Sequence, residues 1–289
     1  MRIIITSDLH YNVARSRGPT EAIAREICSS GGDVLLFVGD SASTDLSVLD
    51  QVMGLFESFK GVKLLVAGNH ELWTIGGADS LAKYEREVAE SCRRNGVHYL
   101  DASPIRLGDI GFVGNVGWYD FSFRPAAMRI PLRFYRHKVA PGAAACLEKH
   151  RHLLAEDTDV PPAAREVTSR WMDGERVRLP MGDVEFTQAL ACKLRRHLEE
   201  IDAQVDRIIV GLHHLPFAEL VPRTIIPNWA FAGGFLGSEL FGETLLEFPK
   251  ISHLFCGHSH REMTCRKGHL FCKSIGSTYR AKQYEVLEI

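Results

Sequence analysis

A chain of 289 residues, 45% of them hydrophobic, can bury a large core in one α/β domain or two small ones. Charged residues make up 24%, which argues against disorder, and the formal net charge of −2 lacks the basic excess of a protein that grips duplex DNA by its phosphates. Seven cysteines with no C-x-x-C pair argue against a disulfide framework or a cysteine-type zinc site, and read as thiols in a reducing compartment.

Residues 2–6 read as a buried strand, an apolar run too short for a signal peptide. No stretch approaches the ~20 apolar residues that span a bilayer, so the chain reads as soluble and cytoplasmic, with no membrane partner. Residues 20–30 predict a helix stopped by Gly31 and Gly32. A buried strand at 34–38, a helix at 45–59 and a strand at 62–67 follow. Strands apolar on both faces with helices between them predict a parallel sheet covered on both sides. A charge-rich helix is expected at 80–93, then short strands at 105–107 and 111–115 joined as a hairpin through Gly108 and Asp109. From Trp118 to Met181 the pattern breaks down around six prolines. This stretch is too long for a plain loop and reads as an insertion, either a lid or a cover for a sheet edge. Regular structure resumes with an amphipathic helix at 184–202 and a strand at 207–211. An irregular aromatic-bearing segment at 216–237 precedes a helix at 238–248, a strand at 253–256 and several short strands in 262–289. The whole, 1–289, is taken as a single domain carrying the 118–181 insertion.

Five short polar motifs each follow one of the predicted strands. They are Asp8-Leu9-His10, Gly39-Asp40, Gly68-Asn69-His70-Glu71, His213-His214-Leu215-Pro216 and Gly257-His258-Ser259-His260. Ligands of open α/β sheets bind outside the carboxyl ends of the strands, so all five motifs converge on one edge. Imidazole nitrogen and carboxylate oxygen suit zinc, manganese and iron. Two such ions ~3.5–4 Å apart can clamp an in-line displacement at phosphorus, with one carboxylate bridging them. The glycines before Asp40, Asn69 and His258 allow close backbone approach. A lone Asp-x-His or Gly-Asp carries little information; the ordered set, each member at a strand end, carries much more. The remaining histidines, among them His98, His137 and His197, have no comparable context.

These motifs resemble those of the calcineurin-like metallophosphoesterases: D-x-H, G-D, G-N-H-[ED], a His shortly before Pro, and G-H-x-H. The resemblance spans residues 8 to 260 and implies a four-layer α/β/β/α sandwich, two mixed sheets with flanking helices. It implies that Asp8, His10, Asp40 and His260 hold one divalent ion, and Asp40, Asn69, His213 and His258 the other. Asp40 then bridges the pair and shares with it a hydroxide that attacks phosphorus. His70 is implied to lie beside the scissile ester without ligating metal, with Glu71 orienting it. His213 is chosen over His214 as the ligand, although Leu215 separates this pair from Pro216. A further acidic residue is usual soon after G-D, whereas here Ser41 to Thr44 intervene before Asp45. Manganese is the favoured metal, with iron or zinc as alternatives; no tyrosine stands beside Asp40 to suggest a purple ferric site.

The expected activity is hydrolysis of a phosphodiester, on a small molecule or a nucleotide. A phosphomonoesterase, including a protein phosphatase, is the alternative. A nuclease, which would want a basic groove, and a scaffold that retains its metals are less expected alternatives; a scaffold without metals would lack some of the histidines, and a peptidase would want H-E-x-x-H, which is absent. Trp73, Trp118, Tyr119, Phe121, Trp229 and Phe231 are candidates for stacking on a base or for packing the irregular segments. Arg124, Arg129, Arg133, Arg136 and Lys138 are candidates for meeting a phosphate or for forming a solvated face. No oligomeric state is indicated.

Overall fold

The structure is a computed structural model that describes residues 1–156 and 158–289. Among the described residues the strands are, in chain order, β1 (Arg2–Thr6), β2 (Val34–Val38), β3 (Val62–Val66), β4 (Val97–Tyr99), β5 (Ile105–Leu107), β6 (Ile110–Asn115), β7 (Arg207–Leu212), β8 (Ile251–Cys256), β9 (Met263–Lys267), β10 (Leu270–Ser274) and β11 (Tyr284–Glu288). They form two sheets, ordered β11-β1-β2-β3-β4 and β5-β6-β7-β8-β10-β9. Strands β1 to β4 run parallel, with β11 antiparallel at the edge. In the second sheet β6, β7, β8 and β10 run parallel, and β5 and β9 close the two edges antiparallel. Both sheets are therefore mixed, as expected.

The period of two along each strand decides what lies on each face. Ile3, Ile5, Val34, Leu36, Val38, Leu64 and Val66 gather with Phe112, Ile209 and Phe255 of the second sheet, forming the layer between the sheets. Their neighbours Ile4, Leu35 and Phe37 join the other core cluster, with Ile23 and Ile27 of the helix Ala14–Ser30 and Val52 of the helix Ser47–Leu55. In the same cluster Leu190, Leu194 and Leu198 of the helix Asp183–Asp202 meet Val113 and Val210. The sheets approach so closely at Gly114 that a Cβ there would stand 2.5 Å from the Leu100 Cβ and from the Val66 Cγ2.

Several boundaries differ from expectation, each for a local reason. The first helix starts at Ala14 rather than at 20, because Pro19 lies early in it and removes only one intrahelical bond. The second ends at Leu55: the buried Phe56 and Phe59 mimic helical spacing, but their backbone follows i→i+3 turns. The helical stretch from Ser80 to Arg94 contains a π turn at Lys83–Glu87, and Lys83 reaches the carbonyls of Ser43, Thr44 and Trp73. Strand β4 is too short to have been read from its pattern.

The 118–181 segment is not a flap standing off the core. Trp118, Tyr119, Phe121, Phe134 and Tyr135 are fully buried within the main cluster, with Phe231 and Phe235 of the 216–237 segment. Its far end docks along the loop after β3, where Thr74 N–H donates to Arg176 O at 2.8 Å and Ser80 N–H to Arg178 O at 3.0 Å. Among the described residues no helix is long and apolar enough to cross a membrane.

Candidate metal centre

Strands β1, β2 and β3 of one sheet and β7 and β8 of the other all end at the same rim, and each delivers its motif there. Backbone bonds lock the turns together: Asp8 N–H donates to Gly39 O at 2.9 Å, and His10 N–H to Asp40 O at 2.8 Å. The His258 N–H donates to Asp8 Oδ1 at 3.1 Å and so ties the two sheets together at the rim. Asp8, His10, Asp40, His258 and His260 all have positive φ, between 43° and 67°. Left-handed backbone at non-glycine residues costs on the order of 1–2 kcal/mol each, and such strain collects at functional sites. Gly68 is required here by space: a Cβ would lie 2.1 Å from Asp40 Oδ1.

Asp40 is central. Its Oδ1 accepts the His70 backbone N–H at 3.0 Å. Its Oδ2 lies 3.4 Å from His213 Nε2, 3.6 Å from His10 Nε2 and 3.8 Å from His70 Nε2. On one side Asp8, His10 and His260 converge, with His10 and His260 Nε2 atoms 3.2 Å apart and Asp8 Oδ1 3.5 Å from His260 Nε2. On the other side Asp40, His213 and His258 converge.

The tautomers say what this cluster can hold. His213 Nδ1 donates to Val38 O at 2.9 Å, so Nε2 carries the lone pair when the ring is neutral, and it faces a carboxylate oxygen. His213 Nε2 and Asn69 Oδ1 are buried with no hydrogen-bond partner. A proton or a cation has to stand between His213 and Asp40. Without a metal the proton does so: burial would lower the His213 pKa, but the charge of Asp40 outweighs burial and lifts it to about 9. Burial would raise the Asp40 carboxyl, yet His213 and His70 hold it well below the ordinary range. Burial keeps His10 and His258 neutral well below the usual imidazole pKa. Neutral His10 and His258, ionised Asp40, an orphaned amide oxygen and a His213 Nε2 whose proton a cation would replace make a donor set that fits hard-to-borderline divalent cations.

The structure brings Asp8, His10, Asp40, Asn69, His70, His213, His258 and His260 to one place. His214 packs against the cluster rather than facing Asp40: its ring lies 4.1 Å from that of His258, its Nδ1 donates to Val116 O, and burial and the neighbouring His213 push its pKa down to about 3. Glu71 departs from expectation. Its carboxylate accepts the backbone N–H groups of Asp40, Ala42 and Gly68 at 2.9, 2.7 and 2.7 Å, so it clamps two motif turns and does not orient His70. Burial, then the charge of Asp40, raise Glu71 to about 7. His70 instead stacks on Trp73, with ring centroids 3.7 Å apart.

A cavity of about 920 Å³ opens from the cluster and is lined by Asp40, Asn69, His70, His258 and His260. Trp73, Trp171, Met172, Ile226 and Trp229 form its apolar walls, and Arg170, Arg223 and Arg261 reach it as well. The aromatic candidates divide: Trp118, Tyr119, Phe121 and Phe231 are packing residues, whereas Trp73 and Trp229 face the cavity, Trp229 with 67% of its surface exposed. The basic candidates do not meet this site. Arg133 pairs with Asp159, Lys138 with Asp183, and Arg124 and Arg129 line a separate hollow. Sequence reading missed Tyr279, which packs near His10 and His260 at 4.8 and 5.1 Å, and Lys282, which donates to Asp8 O at 2.6 Å. Both sit in a polar loop before β11 that carries no motif.

The chain belongs to the calcineurin-like phosphoesterase family, whose model matches residues 1–262. It is accordingly a phosphoric ester hydrolase with Asp/His clusters able to hold metal ions. Among solved structures it is similar to phosphopantetheinyl hydrolase from Mycobacterium tuberculosis, with a TM-score of 0.66, 18% identity, and 95% of this chain and 89% of that chain covered. A dimetal phosphatase from Danio rerio gives a TM-score of 0.52 at 14% identity, covering 95% of this chain and 87% of that one. TT1561 of Thermus thermophilus gives a TM-score of 0.53 at 12% identity, covering 99% and 97%. At these identities the likeness is one of fold. No curated protein sequence matches the chain.

Proposed function

We propose that the protein is a dinuclear phosphodiesterase acting on a small-molecule or nucleotide substrate. In this reading Asp8, His10 and His260 hold one divalent ion, Asn69, His213 and His258 hold the other, and Asp40 serves both. Manganese is the favoured metal, with iron or zinc as alternatives. Bound there, the pair supplies Lewis acidity and a water acidic enough to attack phosphorus near neutral pH.

The chain's own groups do the rest. Asp40 keeps the two halves of the site in register through Oδ2, which lies beside His10 and His70 of one half and His213 of the other, while Oδ1 accepts the His70 backbone N–H. His70 lines the cavity with 13% of its side chain exposed and is held by Trp73, placed to donate a hydrogen bond to a phosphoryl oxygen or a proton to the leaving oxygen. The observation that carries the diester reading is the cavity itself. Its volume of about 920 Å³ is far more than a phosphate needs, and it leaves room for an organic group on each side of phosphorus. Trp229 and Ile226 offer an apolar or planar face to one such group, and Arg170, Arg223 and Arg261 offer charge to a further anion.

Hydrolysis of bis-p-nitrophenyl phosphate and p-nitrophenyl phosphate by metal-stripped protein reloaded with Mn tests this reading. The expected result is Mn-dependent release, faster from the diester. Faster monoester turnover would move the assignment to a phosphomonoesterase. His70→Ala should keep its metal while turnover falls about 10²–10⁴-fold.

A further inference from the structure

The 118–181 segment sends one carboxylate into the site, and its contacts are divided between its two oxygens. Asp173 is buried, with 1% of its surface exposed. Its Oδ2 accepts Tyr119 Oη–H at 2.9 Å and Trp171 Nε1–H at 2.7 Å, both from the same segment. Its Oδ1 accepts Asn69 Nδ2–H at 2.9 Å and Trp73 Nε1–H at 2.6 Å, both from the short helical turn Asn69–Leu72 after β3 and the residue that caps it. One oxygen anchors the carboxylate and the other presents it to the site.

Two consequences follow from hydrogen-bond chemistry. Asp173 Oδ1 already accepts from an indole N–H, which can only donate, so the side of Asn69 that faces this accepting oxygen is the NH₂ group. The amide oxygen is thereby turned the other way, where it is buried with no partner. Second, the bond to Trp73 fixes the indole on which the His70 ring stacks at 3.7 Å. Asp173 thus sets the orientation of Asn69 directly and of His70 through Trp73.

We infer that Asp173 is a positioning residue for both halves of the chemistry: it aims the Asn69 oxygen at a metal ion and holds His70 over the substrate. The inference rests on reading Asn69 as a ligand and His70 as a substrate-facing group. It gives the segment a role in the site beyond filling space. Outer-shell partners of metal ligands typically contribute about 10–100-fold in affinity or activity, so the effect falls within easy measurement.

The test is Mn²⁺ titration of the metal-stripped full-length protein by calorimetry, with kcat and KM for bis-p-nitrophenyl phosphate measured alongside. Asp173→Asn is close to isosteric but replaces one accepting oxygen with a donor. It should weaken one of two Mn sites about 10–100-fold and lower kcat more than it raises KM. Trp73→Phe keeps the ring stack but loses the N–H, and leaves Asn69 untouched. It should lower kcat with an unchanged Mn isotherm, and it reads the His70 branch even if Asp173 variants unfold. A folded Asp173→Asn protein with the wild-type isotherm and kcat would overturn the inference while leaving the ligand assignment standing. A wild-type protein that takes up no Mn would overturn the assignment as well.

Discussion

His213 and His214 are neighbours in the chain with opposite surroundings. Successive side chains leaving β7 point to opposite faces, so one imidazole reaches Asp40 and the other is driven beneath His258, with ring centroids 4.1 Å apart. The charge of Asp40 raises the first against burial, to about 9, and burial lowers the second to about 3. His213→Ala should therefore cut bound metal from two ions to one, and His214→Ala should retain both; metal analysis of the purified variants decides. The motif residues were legible in the sequence because Asp, Asn and His directly after buried strands are costly unless something satisfies them. Asp173, Tyr279 and Lys282 were not. Each is brought to the site by tertiary packing across a long stretch of chain, and none stands in a motif. Glu71 was legible as a site residue but not in its role, since accepting three backbone N–H groups depends on how two turns fold against each other.

The strands VLLFV and RIIIT carry apolar side chains on both faces, and both faces are used, one against helices and one against the other sheet. That much of the architecture was readable from pattern. The pairing of the two sheets was not: strands at the positions of β5 to β8 were legible one by one, but the order that sets β10 and β9 beside β8, and β11 beside β1, appears only on assembly. Gly114 marks where that assembly is tightest. Gly114→Val has no space beside Leu100 and Val66, and overpacking of this kind costs typically about 1–3 kcal/mol. The variant should unfold at lower temperature, with Mn content unaffected while it remains folded. A Tm equal to wild type would mean that the sheets are less closely fitted than described.

The site exists only because the molecule is built from two halves. Asp8, His10, Asp40, Asn69 and His70 come from one sheet, and His213, His258 and His260 from the other, so neither sheet alone completes either group of ligands. The segments at 118–181 and 216–237 then wall the cavity above them with Trp171, Met172, Ile226 and Trp229. The central claim is that two ions share Asp40 at this seam. Anomalous diffraction from Mn-loaded crystals measures it directly. Two Mn peaks ~3.5–4 Å apart are expected, one beside Asp8, His10 and His260, the other beside Asn69, His213 and His258, with Asp40 touching both. A single peak, or peaks away from Asp40, would contradict it.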